Sequence, residues 1–221
     1  MMPKAHALGF STFVRNEIHC LPGLLDDIKG KFDDVVVVDT GSNDGTWEML
    51  RDRERRGDLR PYRIPIPFDA KHFHFGYVRS MAAHLSHTDW VMMLDADERM
   101  NPNELDKIRD TVIRAHAAGV RCLLFPRCNY YDAPPGAKFD HKTYPDLQAR
   151  CIYNDGTLWW RRPVHEVVLR GPERMTPPVW TTDLHIHHFH IHFRAAKKDD
   201  GAFNQVYADL AKSDPEWADT Y

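Results

Sequence analysis

The sequence predicts an α/β fold, with a mostly parallel central sheet flanked by helices and a mixed or antiparallel second half. Three observations lead there. The runs VVVV (35–38) and WVMML (90–94) are apolar without alternation, the pattern of strands buried on both faces of a parallel sheet. Helical periodicity separates the strand-like segments, giving the order β-α-β-α-β-α-β-α. From Arg121 onward, short strand-like pieces divided by proline and glycine replace the crossover helices.

Taken in order, AHALGFSTF (5–13) reads as a first strand. Glu17 to Lys29 has helical spacing at Ile18, Leu21, Leu24, Leu25 and Ile28, with Pro22 in the first turns, where a missing donor is tolerated. VVVV is the second strand and ends in Asp39. The glycine-rich turn TGSNDGT follows, with Ser42, Asp44 and Thr46 as candidate caps for a helix from Trp47 to Arg56. Arg60 to Ile66 is a third strand, and its prolines place it at an edge. KHFHFGYVRS enters a helix whose stripe of Val78, Met81, Ala82 and Leu85 is buried, with Arg79 on another face. After the fourth strand, Asn101, Pro102 and Glu104 read as N-cap, first-turn proline and capping-box acid of a helix to Ala118.

The second half contains CLLFPRCNYY, LQARCIYN, WWRRPVHEVVL and VWTTDLHIHHFHIHF, followed by a helical pattern around Phe203, Val206, Tyr207 and Leu210. The expected division is residues 1–118 for one half of a single domain, 119–196 for the other, and 197–221 for a helical tail.

At 221 residues and a formal charge of -3, the chain suits one domain and carries no nucleic-acid footprint. No stretch approaches a transmembrane span, and MMPKAHALGF lacks the apolar core of a signal peptide, so a cytoplasmic chain is expected. Cys20, Cys122, Cys128 and Cys151 lack CxxC spacing and are expected to be reduced.

The polar groups that need an explanation lie at strand ends. DWVMMLDADE (89–98) releases Asp95, Asp97 and Glu98 together from an apolar strand. On a continuing strand, Asp95 and Asp97 would share one side and repel unless a cation sat between them. A solvated acidic turn is the plainer alternative. Asp39 closes an all-apolar strand and suits a ligand donor. In DLHIHHFHIHF, His188, His190 and His192 alternate with apolar residues, while His185 and His187 have the opposite parity. Such a strand could ligate a metal or merely present a histidine-rich polar face.

With these residues in view, the sequence resembles a family 2 glycosyltransferase of the GT-A fold. The resemblance rests on FVRNE (13–17), VVVVDTGSNDGT (35–46), FGYVRSMA (75–82), WVMMLDADE (90–98), QARCIYN and VHE (164–166), in family order from residue 7 to about 170. The VHE is similar to that of a bacterial subgroup acting on surface glycans or peptides. The resemblance implies transfer of a sugar, with inversion, from a nucleotide-diphosphate donor, by preference a UDP-sugar. The acceptor hydroxyl would belong to a glycan, a lipid-linked molecule or a protein.

It further implies that Phe13, Val14, Arg15, Asn16, Glu17, Asp39 and Ser42 hold base and ribose, with Arg79 near the diphosphate and Ala96 between the two aspartates. Asp95 would lie towards ribose or metal, Asp97 would bind Mn²⁺ or Mg²⁺, and His165 would meet the same metal or diphosphate, with His188 or His190 as a further approach. Ser80 departs from the asparagine usual after the arginine. Glu166 and Asp146 are the candidate bases, with Asp140 third. Glu166 is preferred because Trp159, Trp160 and Pro163 could stack on a sugar and exclude water. Tyr130, Tyr131 and Tyr144 could also stack on sugars or simply pack. Three rivals are a nucleotide-sugar-binding protein without transfer, a nucleotidyltransferase and a metal-dependent hydrolase.

Overall fold

The computed structural model describes residues 6–131, 140–171, 176–189 and 202–213. Its elements follow the expected order: β1 (Leu8–Val14), α1 (Leu21–Asp27), β2 (Asp34–Asp39), α2 (Thr46–Arg55), β3 (Arg60–Arg63), α3 (Phe75–His84) and β4 (Trp90–Met93). A two-residue strand, β5 (Glu98–Arg99), precedes α4 (Pro102–Ala117). The second half comprises β6 (Cys122–Asn129), β7 (Leu147–Tyr153), β8 (Leu158–Arg161), β9 (Val167–Arg170), β10 (Val179–Thr181), β11 (Ile186–His188) and α5 (Ala202–Ser213).

The central sheet runs β3-β2-β1-β4-β7-β6-β11-β5, with β10 paired to β6. Its first four strands are parallel, and β7 joins β4 and β6 antiparallel. Strand β3 stops at Arg63, short of the expected Ile66 and before Pro65 and Pro67, and its one proline, Pro61, is accommodated because the strand is an edge. Hydrophobic runs work here because both faces are covered. Trp90, Met92 and Leu94 enter one core with residues of α1, α2 and α4, while Val91 and Met93 enter the other. That second core contains Ala82 and Ala83 of α3 and Trp160 and Val168 of the β8-β9 hairpin. WWRRPVHEVVL is therefore two strands, not one.

The strand order reverses between β1 and β4, since β2 and β3 lie on one side of β1 and β4 on the other. A crevice opens at the carboxyl ends of strands at such a switch point. It sets Phe13 and Val14 beside the chain leaving β4.

Two local expectations are corrected, and the departure at Ser80 finds its reason. Asn101 makes no capping hydrogen bond to α4, and Glu104 Oε1 instead accepts from the backbone and ring of His185. Helix α2 follows Gly45, at φ 97° in the N-cap position, and of the expected caps only Asp44 serves: its Oδ1 accepts from Thr46 N, while the Ser42 hydroxyl accepts from Asn16 N. Ser80 is wholly buried and bridges α3 to β8: its hydroxyl donates to Gly76 O at 2.8 Å and accepts from Trp160 N at 2.8 Å.

The α3-β8 contact is close because Gly76 lacks a side chain. A Cβ there would lie 2.7 Å from Arg162 O and 2.9 Å from Trp160 O, both backbone atoms that cannot swing aside. Gly76→Ala is expected to lower stability by about 1–3 kcal/mol, the usual cost of overpacking; urea denaturation measures it.

Candidate active site

The switch-point crevice widens into a cleft of roughly 1180 Å³. One wall is the end of β1 and its turn, Phe13 to His19; the floor carries Arg79, Asp95, Ala96 and Asp97; β7 and the loop before β9 supply Asp146, Arg150, His165 and Glu166. A smaller depression beside α4, about 410 Å³, holds no comparable grouping.

The floor is built on Glu98. Its side chain has no exposed surface, and its Oε1 accepts from Arg150 Nη2 at 2.6 Å and Arg127 Nη1 at 3.3 Å. Oε2 accepts from Asp95 N at 2.9 Å, tightening the turn after β4. The strand ends at Met93, so strand alternation does not set the relation of Asp95 to Asp97, and both line the cleft. Asp95 is met by protein cations: Arg79 Nη1 donates to Oδ1 at 2.8 Å and Arg150 Nη2 to Oδ2 at 2.7 Å. Burial would raise the Asp95 carboxyl, but Arg150 and Arg79 outweigh it and hold it well below the carboxylate range.

Arg79, expected on an unburied face, is 4 % exposed. It lies over the Phe13 ring and also donates from Nε to Glu166 Oε1 at 3.2 Å. Burial opposes the charge on its guanidinium, yet Asp95 and Glu166 raise its pKa overall.

Asp146, at φ 25°, is saturated with donors. Arg127 Nε and Nη2 and Asn129 Nδ2 reach Oδ2 at 2.9, 2.7 and 2.9 Å, and Gln148 Nε2 reaches Oδ1 at 2.8 Å. Burial pushes its pKa up, but Arg127 and the amides leave it lowered. Glu166 keeps Oε2 without a hydrogen bond among the described residues. The tryptophans expected beside it face elsewhere: Trp160 is buried with Nε1 on Ala149 O, and Trp159 packs on His84. Asp140 lies outside the cleft lining.

Asp97 Oδ2 lies 3.5 Å from His188 Nε2. The amide of Asn129 decides what lies between them. Its Nδ2 faces the Asp146 carboxylate, so its Oδ1 accepts from His188 Nδ1 at 2.8 Å. With Nδ1 carrying the hydrogen, His188 Nε2 turns its remaining position towards a carboxylate, an arrangement satisfied by a proton or a cation. His165, at φ 51°, instead meets Tyr207 of α5, with Nε2 3.2 Å from the hydroxyl. His185 and His187 point to Glu104, Tyr144, Asn101 and Tyr130; His190 and His192 lie outside the described residues.

Asp39 is fully buried behind the cleft wall. Its Oδ1 accepts from Gly41 N and Ser42 N at 2.9 and 3.0 Å, and its Oδ2 has no hydrogen-bond partner among the described residues. Ser42 sits behind it, 4 % exposed. Arg15 Nη1 donates to Thr40 O and Ile66 O, and Asn16 Oδ1 accepts from Asn43 N, so the β1 turn is tied to the β2 turn. Among the described residues, the group of three or more metal-ligating side chains with ligand atoms mutually within 4.8 Å is Glu17, His19 and Cys20, which could hold an ion.

Several cleft residues carry no sequence-based assignment: Arg127, Arg150, Glu98 beneath them, and Phe68, Phe73, Phe75, Phe203 and Tyr207. A signal for the charged ones was present, since arginine inside the apolar strands LFPRCN and LQARCIY needs a buried acid. Tyr130 and Tyr144 are absent from the cleft lining and pair with histidines instead.

An α/β sheet with a cleft at its switch point is a ligand-binding architecture. The family model for glycosyl transferase family 2 matches residues 12–199, and the chain belongs to that family. No curated protein matches it. Among solved structures, S. aureus TarS is similar at 14% identity and TM-score 0.53, over 94% of this chain and 39% of that one. A TarS 1-349 structure aligns at 13% identity and TM-score 0.53, covering 96% and 67%. Another, in complex with UDP-GlcNAc, aligns at 14% and 0.52, covering 93% and 66%. The present chain thus spans well under half of the longer TarS chain and about two thirds of TarS 1-349. Among the described residues, no helix is long and apolar enough to cross a membrane.

Glu98→Gln is expected to cost about 3–5 kcal/mol by leaving buried Arg150 and half-buried Arg127 short of charge, read by denaturant unfolding. The depressed folded pKa of Asp95 carries a pH sign: its stabilisation is complete above the unfolded value of about 3.9 and is lost as pH falls below it. The stability gap between the wild type and Asp95→Asn should therefore be constant from neutral pH to about 4.5 and close below about 3.9, as thermal melts across pH would report.

Proposed function

We propose that the chain transfers a sugar from a nucleotide-diphosphate donor, preferably a UDP-sugar, to a hydroxyl acceptor with inversion. The observation that carries this reading is a cleft at the β1/β4 switch point where Arg79, Arg127 and Arg150 stand beside the Asp97–His188 pair and the Glu166 carboxylate. Family membership supports donor and reaction class, and the TarS complex with UDP-GlcNAc supports uridine.

In this reading Phe13 to Glu17 and Thr40 form the nucleoside wall. Asp39, with Oδ1 on Gly41 N and Ser42 N, holds the turn behind that wall. Arg79 and Arg150 offer positive charge towards the diphosphate, and Asp95 keeps both guanidiniums in place.

The donor set fits a divalent cation. A carboxylate and an imidazole 3.5 Å apart, Asp97 and His188, offer it one oxygen and one nitrogen. Asp97 and His188 would hold it, with Asn129 orienting the imidazole, and histidine favours Mn²⁺ somewhat over Mg²⁺. Mn²⁺ or Mg²⁺ bound there would supply stabilisation of the negative charge on the departing nucleoside diphosphate.

Glu166 acts as the base. It accepts the proton of the acceptor hydroxyl as that oxygen bonds to the anomeric carbon, while the bond from that carbon to the diphosphate oxygen breaks on the opposite face. Its Oε2 is open, whereas every oxygen of Asp146 is occupied by donors, which makes Asp146 an orienting group for Asn129 and Arg127. The half from residue 119, with the VHE resembling glycan- and peptide-modifying enzymes, would admit a glycan, lipid-linked or protein acceptor.

Glu166→Gln should lower turnover at least about 100-fold with nucleotide binding retained, and Asp146→Asn should lower it less; the reverse order would reassign the base. Binding is measured by thermal stabilisation with UDP and UDP-sugars. Asp97→Asn should abolish Mn²⁺ activation after EDTA treatment. Donor binding by the wild type without turnover on any acceptor would favour the binding-protein alternative.

A further inference from the structure

The turn after β1 carries a second group of ligating side chains, separate from the arginine-carboxylate floor. Asn16 takes φ 57°, and Cys20 N and Leu21 N both donate to Glu17 O at 3.1 and 2.9 Å. That tight turn brings the carboxylate of Glu17, the imidazole of His19 and the thiol of Cys20 together. Cys20 Sγ lies 3.1 Å from Glu17 Oε2, and His19 Nε2 lies 4.0 Å from the same oxygen. Tetrahedral bonds of about 2.0–2.3 Å require neighbouring ligand atoms about 3.3–3.8 Å apart. The observed spacings bracket that range.

We propose that Glu17, His19 and Cys20 form a metal site for a Zn²⁺-type cation, distinct from the Asp97–His188 pair. Thiolate and imidazole select Zn²⁺ or Co²⁺, whereas Mg²⁺ requires oxygen ligands in octahedral array. A carboxylate and a thiolate together neutralise a dication. Arg99 is a nearby cation, with Nη2 on Cys20 O at 2.7 Å; Asp27 at 3.4 Å from its Nε and the charge of Asp97 offset it.

The backbone is held in place before any ion arrives. Asn16 N donates to Ser42 Oγ, Glu17 N to Thr46 Oγ1 and Ile18 N to Asp44 Oδ2, at 2.9, 2.9 and 3.1 Å. Cys20 is 2 % exposed, and burial together with Glu17 pushes its thiol up, so the metal-free protein keeps the proton and binding releases it. Glu17 and His19 line the cleft, which leaves an entry path and an open fourth position. Because the same turn forms the wall of the cleft, the bound ion would stiffen the nucleoside side of the site.

The test uses the full chain, freed of metal with a chelator and titrated with Co²⁺ under reducing conditions. A single equivalent should give a thiolate-to-cobalt charge-transfer band with d–d bands of tetrahedral intensity, and Zn²⁺ should bleach both. Cys20→Ser should lose the charge-transfer band, Glu17→Gln should weaken Co²⁺ binding at least about tenfold, and Asp97→Asn should keep the band. Circular dichroism confirms folding of each variant. No band in the wild type, a band surviving in folded Cys20→Ser, or loss of the band in Asp97→Asn overturns the proposal. Should Cys20→Ser not fold, unchanged Co²⁺ affinity in both Glu17→Gln and His19→Ala overturns it. The readout needs no sugar transfer, so its failure and that of the proposed activity are separable.

Discussion

The buried carboxylate of Glu98 is the constraint on which the rest depends. It lies between Arg127 and Arg150 with no access to water, and its other oxygen holds the backbone of Asp95. The guanidiniums of Arg150, buried, and Arg127, half-buried, line the cleft and are costly to desolvate, and a buried acid with good geometry offsets that cost. Glu98 thereby allows Arg150 to reach Asp95, and Asp95 allows Arg79 to stay charged while 4 % exposed. Each member is tolerable because the next one is present.

The network also joins the two halves of the domain. Arg79, Asp95 and Glu98 come from the parallel half; Arg127 of β6 and Asp146, Arg150 and Glu166 come from the part that begins with β6. The seam is the antiparallel pairing of β4 with β7, where Met92 lies opposite Cys151, next to Arg150 in the chain. Buried ion pairs of this kind add little net stability compared with apolar packing. Here they set which side chains meet, and the cleft takes its electrostatic character from that docking.

The opposite side of the cleft is aromatic. Phe203 of α5 stacks on Phe68 at 5.7 Å, Phe73 and Phe75 meet edge to face at 4.9 Å, and Tyr207 contacts His165. A charged floor facing an aromatic wall lowers the local dielectric around the arginines, which strengthens their pull on an anionic ligand. Helix α5 therefore belongs to the site as well as to the end of the chain.

By itself the sequence determined the order and type of nearly every element of the first half, because strand runs, helical stripes and turn glycines are local signals. It also marked Asp39, Asp95 and Asp97, since polar groups at the ends of apolar strands stand out against their neighbours, whereas His165 and Glu166 were marked only by the family resemblance of the VHE. Tertiary structure decided the partners. Whether Asp95 meets a cation or an arginine depends on Arg79 and Arg150, which lie 16 and 55 residues away. The same holds for Trp160, which its neighbours in sequence place beside Glu166 and which the sheet draws into the core. Glu98 carried no assignment for this reason: a carboxylate becomes the centre of a site only when chain folding buries it among charges that no local pattern reveals.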